Sequence, residues 1–162
     1  MEITEEKLLT FSLGSEGYGL SILKVKEIIG MMHITPVPRT PDFVKGVINL
    51  RGKIIPVMDL RLKFNMEEKP YNERTCIIVV EINLKNTQRL LGVVVDMVSE
   101  VVSITSEEIE PPPQYGTKLD HNFILGMGKI KDRVVIIIDI DEIFMQDDVL
   151  KMFEISEGAK NV

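Results

Sequence analysis

A chain that writes one β-rich unit twice must fold as two related halves, and this sequence carries such a repeat. Residues 18–29, YGLSILKVKEII, align without a gap to residues 91–102, LGVVVDMVSEVV. Gly19 falls over Gly92, Val25 over Val98, Glu27 over Glu100, and Ile28 and Ile29 over Val101 and Val102. Residues 46–64, GVINLRGKIIPVMDLRLKF, align in the same way to 126–144, GMGKIKDRVVIIIDIDEIF. There Gly46 meets Gly126, Lys53 meets Arg133, Asp59 meets Asp139 and Phe64 meets Phe144. The windows keep their order, each pair spaced by a proline-bearing connector, ITPVPRTP in one half and IEPPPQYG in the other. Apolar residues match by chance in any β-rich chain; the ordered coincidence of Gly, Glu, Asp and Phe carries the repeat.

The unit is read as strands because the apolar runs are short and bounded by Gly, Pro, Asn or Asp. Strands are expected near 7–13, 18–29, 44–50, 53–59, 75–82, 88–96, 97–104, 122–130 and 133–140, the second bent or broken because it is long for one strand. Turns are expected at Gly14-Ser15-Glu16-Gly17, Arg51-Gly52, Lys85-Asn86-Thr87 and Lys131-Asp132. Pro56 has no amide proton and is expected on an edge or at a bulge. Thr40-Pro41-Asp42 suits a single helical turn, and Asp59 and Asp139 suit capping of the turn after each hairpin. Val149, Met152 and Phe153, behind Asp147 and Asp148, have helical spacing. The fold class is therefore mostly β: two small Greek-key-like barrels packed together, closure removing the edges that a flat sheet exposes. All 162 residues form one domain, with a first lobe near 14–75, a second near 76–145 to which strand 7–13 is free to cross, and a C-terminal helix and tail over 146–162.

Composition excludes several functions. A net charge of −6, with no Lys/Arg cluster longer than two residues, argues against nucleic acid, which needs a cationic face. MEITEEKLLTF has neither the basic start nor the apolar core of a signal peptide, and no apolar run approaches the ~20 residues of a membrane span. Cys76 is the sole cysteine, so a reduced, cytoplasmic setting is expected.

Chemistry is absent where it was sought. His33 and His121 have no Cys or second His at ligand spacing. Cys76 opens the apolar run CIIVV and reads as a small hydrophobe rather than a nucleophile. Gly126-Met127-Gly128 lacks the third glycine and following helix of a dinucleotide site. Asp139, Asp141, Glu142, Asp147 and Asp148 lack the ligand order of a calcium loop and read as acids leading into helix N-termini. No catalytic residue, metal or cofactor is expected. Nine methionines, with Met31, Met32 and Met127 in or near loops, suit an adaptable contact surface.

YGLSILKVKEI, TPDFVKGVINLRGKIIPVMDLRLKF, RLLGVVVDMVSEV and DRVVIIIDID together resemble the CheW-type chemotaxis coupling proteins, from about Leu8 to Phe144, with NLRGKIIPVMDLR the most specific piece. The resemblance implies two five-stranded SH3-like barrels on a shared core, and a free-standing adaptor rather than a kinase module. It implies joining the cytoplasmic tip of chemoreceptors to the regulatory domain of the histidine kinase CheA in membrane-associated arrays, without membrane insertion. It places receptor binding at Val25, Glu27, Ile28, Asn49 and Arg51. Kinase binding is expected at Ile29, Gly30, Met31 and Met32, consecutive apolar residues in an expected loop. Arg51 is expected to reach Glu27 while Asn49 fixes the turn, the alternative being a hairpin-stabilising pair that touches no partner. A coupling protein of a non-motility pathway and a small-ligand-binding β-barrel are the competing readings.

Overall fold

The computed structural model describes residues 4–112 and 123–144. In chain order these form β1 (Glu5–Leu13), β2 (Glu16–Ser21), β3 (Val25–Gly30), β4 (Val44–Leu50), β5 (Lys53–Asp59), α1 (Leu60–Lys63), β6 (Cys76–Leu84), β7 (Thr87–Val95), β8 (Met97–Thr105), β9 (Ile109–Glu110), β10 (Ile124–Ile130), β11 (Arg133–Ile138) and α2 (Ile140–Ile143). The strand expected over 18–29 is broken, as anticipated, by a 3-10 turn at Ile22–Lys24. The last strand stops at Ile138, because the Asp139 carboxylate takes the amides of Asp141 and Glu142 and starts α2. Asp59 does the same for Arg61 and Leu62 at α1. Thr40-Pro41-Asp42 forms a single hydrogen-bonded turn, Val44 N to Pro41 O at 3.0 Å, without a helix. The helix expected beyond residue 146 lies outside the described residues.

The strands make two sheets, ordered β8-β1-β2-β11-β10-β9 and β3-β6-β7-β5-β4. In the first, the two outer strands are consecutive pieces of chain, so the sheet rolls into a barrel. In the second, the segment after β3 returns to β4 through Thr35 and Val47, which exchange both backbone hydrogen bonds at 2.8 and 2.9 Å. A division of the chain near residue 75 does not describe these sheets. β6 and β7 join the barrel of β3, β4 and β5, while β1 and β2 join the other. The first barrel is built from three strands of one repeat and a hairpin from the other, the second from four strands and a hairpin.

The repeat survives in the register. Val57 stands opposite Gly92 in the parallel pair of β5 and β7, and Ile137 opposite Gly19 in the parallel pair of β11 and β2. Bulges recur at Val44/Gly46 and Ile124/Gly126, and at Val25/Glu27 and Leu9/Phe11. Asp59 N binds Phe43 O and Asp139 N binds Phe123 O, both at 2.7 Å. Pro56 corrects the expectation of an edge or bulge, since β5 lies between β7 and β4. It is tolerated because Val47 opposite directs both backbone groups to Thr35, and the ladder with β7 begins only at Val57.

Exchange of hairpins explains the uninterrupted run IIVV. In β6, Ile77 and Val79 face the first barrel's own core, while Ile78, Val80, Ile82 and Leu84 face a cluster shared between the barrels. In β1, Leu8 faces the second barrel's core, and Leu9, Phe11 and Leu13 the shared cluster. Strands buried on both faces lose the alternation of a half-exposed strand.

Gly46 sits at φ 136°, where a Cβ would run into the Thr35 carbonyl that closes the first barrel. Gly46→Ala is expected to lower unfolding free energy by about 3 kcal/mol or more, measured by urea denaturation; a loss below about 1 kcal/mol would show that Thr35 does not close the barrel.

Candidate functional site

The turn between β4 and β5 places two successive residues at positive φ, Arg51 at 51° and Gly52 at 87°, the two-residue geometry that suits strand twist. Asn49 Oδ1 accepts the Gly52 amide at 2.9 Å and holds the turn. The Arg51 guanidinium donates to Glu27 Oε1 across to β3. Arg51 is largely exposed and Glu27 half-buried. Glu27, Asn49 and Arg51 thus meet.

The other expected positions divide. Along β3, Val25, Glu27 and Ile29 are half-buried and Lys26, Ile28 and Gly30 exposed. Val25 packs on the shared cluster, so Val25, Glu27 and Ile28 do not form one face. The bulge between Val25 and Glu27 turns Lys26 and Glu27 together toward a groove. The expected apolar loop splits as well: Ile29 and Met31 pack inward on the first barrel's core, whereas Gly30 and Met32 remain exposed.

The groove has a volume of about 460 Å³ and opens at one end of the first barrel. Ile55 and Val79 form its floor, Leu50 and Leu90 its walls, and Lys26, Glu27, Arg51, Lys53 and Glu81 its rim. Lys26 Nζ lies 3.4 Å from Glu81. Leu90, Glu81 and Lys53 are not among the site residues expected from the sequence, because only the barrel brings β6, β7 and the β4–β5 turn together.

The repeat supplies an internal control. Lys131, in the turn between β10 and β11, pairs with Glu100 at 2.8 Å, in the positions of Arg51 and Glu27. Aligning Glu27 with Glu100 and carrying the same window to residue 131 would have found this pair from sequence. It reveals a shared device, a cation at the hairpin turn holding the bulged outer strand of its own barrel.

A second polar cluster lies under the loop before β6. The Tyr71 hydroxyl donates to Asp59 Oδ2 at 2.8 Å, and Arg61, only 6% exposed, sets its Nε 3.3 Å from Asp96 Oδ1 without hydrogen-bond alignment. Burial first, then the bond to Asp59, then the charges of Asp59 and Glu68 push the Tyr71 phenol well above its usual range. Asp139 has no tyrosine partner among the described residues. Among them, too, no three His, Cys, Asp or Glu side chains are placed to share a metal ion, and no helix is long and apolar enough to cross a membrane. Asp141 is occupied by Lys24 at 2.7 Å and the Asn83 amide at 2.9 Å.

Two outcomes follow for the caps. Asp139→Ala should cost about 1 kcal/mol, the usual value of an N-cap, and Asp59→Ala about 3 kcal/mol, since it also strands the Tyr71 hydroxyl; urea denaturation of both variants measures the difference. Because the folded-state pKa of Tyr71 is raised above the unfolded 10.0, its contribution is complete below pH 10 and declines as pH rises beyond it. Tyr71→Phe should therefore flatten part of the alkaline loss of stability, read from melting curves between neutral and strongly alkaline pH.

The CheW-like domain family matches residues 7–148. The chain is 42% identical over 147 residues to the chemotaxis protein CheW of Klebsiella aerogenes, covering 91% of this chain and 86% of that one. It is 36% identical over 148 residues to CheW of Helicobacter pylori, with coverage of 90% and 87%. The crystal structure of the scaffolding protein TtCheW from Thermoanaerobacter tengcongensis superposes with a TM-score of 0.78 at 40% identity, over 90% of this chain and 96% of that one. Two barrels joined on one core and a pattern matched along nearly the whole length lead to one conclusion: the chain belongs to the CheW family of non-catalytic chemotaxis scaffold proteins.

Proposed function

We propose that this chain couples the cytoplasmic tips of transmembrane chemoreceptors to the regulatory domain of the histidine kinase CheA, in the cytoplasm at membrane-associated arrays. The observation that carries the reading is the Glu27–Arg51 pair, set on an exposed turn beside the open groove of the first barrel. An exposed ion pair contributes only about 0.2–1 kcal/mol to stability. Its use is directional, since the planar guanidinium presents its donors at fixed angles.

The receptor-facing surface comprises Glu27, Ile28 and Arg51, with Asn49 holding the turn and Val25 anchoring β3 to the core. Ile28, 43% exposed, supplies the apolar contact. The kinase-facing surface is the exposed part of the segment after β3, Gly30 and Met32, supported from within by Ile29 and Met31. Control then works by geometry. Both surfaces are borne by one strand and its continuation on a rigid barrel, so a displacement at one is passed to the other through packed contacts.

Pull-down of the full chain with a receptor cytoplasmic fragment and with the CheA regulatory domain, separately and together, tests the reading. Capture of each alone, and of both at once, is the expected result; capture of neither refutes it. Arg51→Ala should reduce receptor capture about tenfold with the melting temperature unchanged, since both residues carry a Cβ at the same positive φ. Glu27→Ala should give a similar loss, and the double variant less than the sum. Unchanged capture with a large fall in melting temperature would make the pair purely structural.

A further inference from the structure

The two barrels carry the same end-groove, but that of the first is about three times larger. In the second barrel it is lined by Thr10, Ser12, Gly17, Ser99, Glu100, Ile130, Lys131, Arg133 and Val135, among others, and encloses about 140 Å³ against about 460 Å³ in the first. Strand register matches them position by position. The latch and the end of the core persist: Glu27 and Arg51 correspond to Glu100 and Lys131, Leu50 and Ile55 to Ile130 and Val135. The rim does not. Lys26, Glu81 and Leu90 of the first barrel stand where the second has Ser99, Ser12 and Gly17.

Two further differences tie up the polar groups of the second groove. Thr10 Oγ1 donates to Glu100 O at 2.8 Å and accepts from Glu100 N at 3.2 Å, plugging the bulge with a hydroxyl where the first barrel has Val79. Arg133 is tied to Ser15 O at 3.1 Å, whereas its counterpart Lys53 has no ion-pair partner among the described residues. The first groove therefore has an apolar floor and five charged rim groups, of which Glu27 is held by Arg51 and Glu81 by Lys26. Lys53 is the surplus cation.

We infer that the groove of the first barrel receives an acidic, apolar-toothed segment of the receptor, one apolar side chain seated between Leu50 and Leu90 and a neighbouring carboxylate paired with Lys53. Charge complementarity selects this occupant, since every rim carboxylate is already matched and one cation is not. The groove's volume is in the range that encloses small ligands or a few side chains. This inference rests on the adaptor reading above and assigns Lys53 and Leu90 to recognition beside Arg51.

The test is isothermal titration of the receptor cytoplasmic fragment, and separately of the CheA regulatory domain, into the full chain carrying Lys53→Glu, Leu90→Gln or, as the second-barrel control, Arg133→Glu. Lys53→Glu and Leu90→Gln should each raise the receptor Kd about tenfold or more, leave kinase-domain binding unchanged, and, for Lys53→Glu, make the Kd less sensitive to salt. Arg133→Glu should bind the receptor fragment as the unaltered chain does. Lys53 is exposed, so its variant folds even if Leu90→Gln does not. A receptor Kd unchanged in Lys53→Glu, an equal loss in Arg133→Glu, or a loss confined to the kinase domain would overturn the groove assignment while the adaptor reading stands. An unaltered chain that binds no receptor fragment overturns both.

Discussion

Everything in this molecule depends on the exchange of two hairpins between two barrels. β1–β2 comes from the first repeat and completes the second barrel; β6–β7 comes from the second repeat and completes the first. The shared cluster so created includes Leu9, Phe11, Leu13, Ile78, Val80, Ile82, Met58, Ile138 and Phe144, all but excluded from solvent. At about 1.5–3 kcal/mol for each large buried side chain, exposing these nine would cost as much as, or more than, the net 5–15 kcal/mol by which a typical domain is stable. Neither barrel is therefore expected to part from the other and remain folded.

The crossings are also fastened by charge, with the polarity reversed between them. Asp96, between β7 and β8, accepts the Gly14 amide at 2.6 Å and faces Arg61 on α1. At the equivalent place the acid has moved to the helix. Asp141 on α2 accepts the Asn83 amide and faces Lys24 of the crossing segment. Each carboxylate holds the end of an exchanged hairpin. The Arg61 contact is buried and the Lys24 contact about one-third open, so the first resists salt and the second is screened. A scaffold of this kind holds its outer surfaces in fixed relation. What the barrels share, the caps, bulges and turn cations, is the frame, and what they do not share, the rim around Lys53 and Leu90, is where recognition can differ.

Much of the frame was legible in the sequence. The ordered matches of Gly46 with Gly126 and Asp59 with Asp139 mark backbone positions with few chemical solutions, a close approach to a carbonyl and a two-amide cap, and both recur in place. The partition of strands was not legible. An alignment reports that two windows are alike, but not which one a hairpin pairs with, and the parallel pairs of β5 with β7 and β2 with β11 join segments more than thirty residues apart. Glu27, Asn49 and Arg51 could be gathered because a hairpin turn and a neighbouring strand suffice. Met31 and Ile29 were misread as surface because consecutive apolar residues say nothing of alternation until the strand direction is known. Tyr71 and Arg61 escaped since nothing in the sequence of the loop before β6 points back to Asp59, and a buried arginine looks like any surface cation in a sequence.

Native-state hydrogen exchange along increasing urea is the most direct test of the exchanged architecture. The account predicts that the slowest amides of β1, in the second barrel, and of β6, in the first, open in one step, with the same free energy and the same urea dependence as global unfolding. If β3 to β7 instead exchanged through a separate, lower-energy opening while β1, β2 and β11 stayed protected, the barrels would be independent folding units. The fixed geometry on which coupling through this scaffold relies would then be absent.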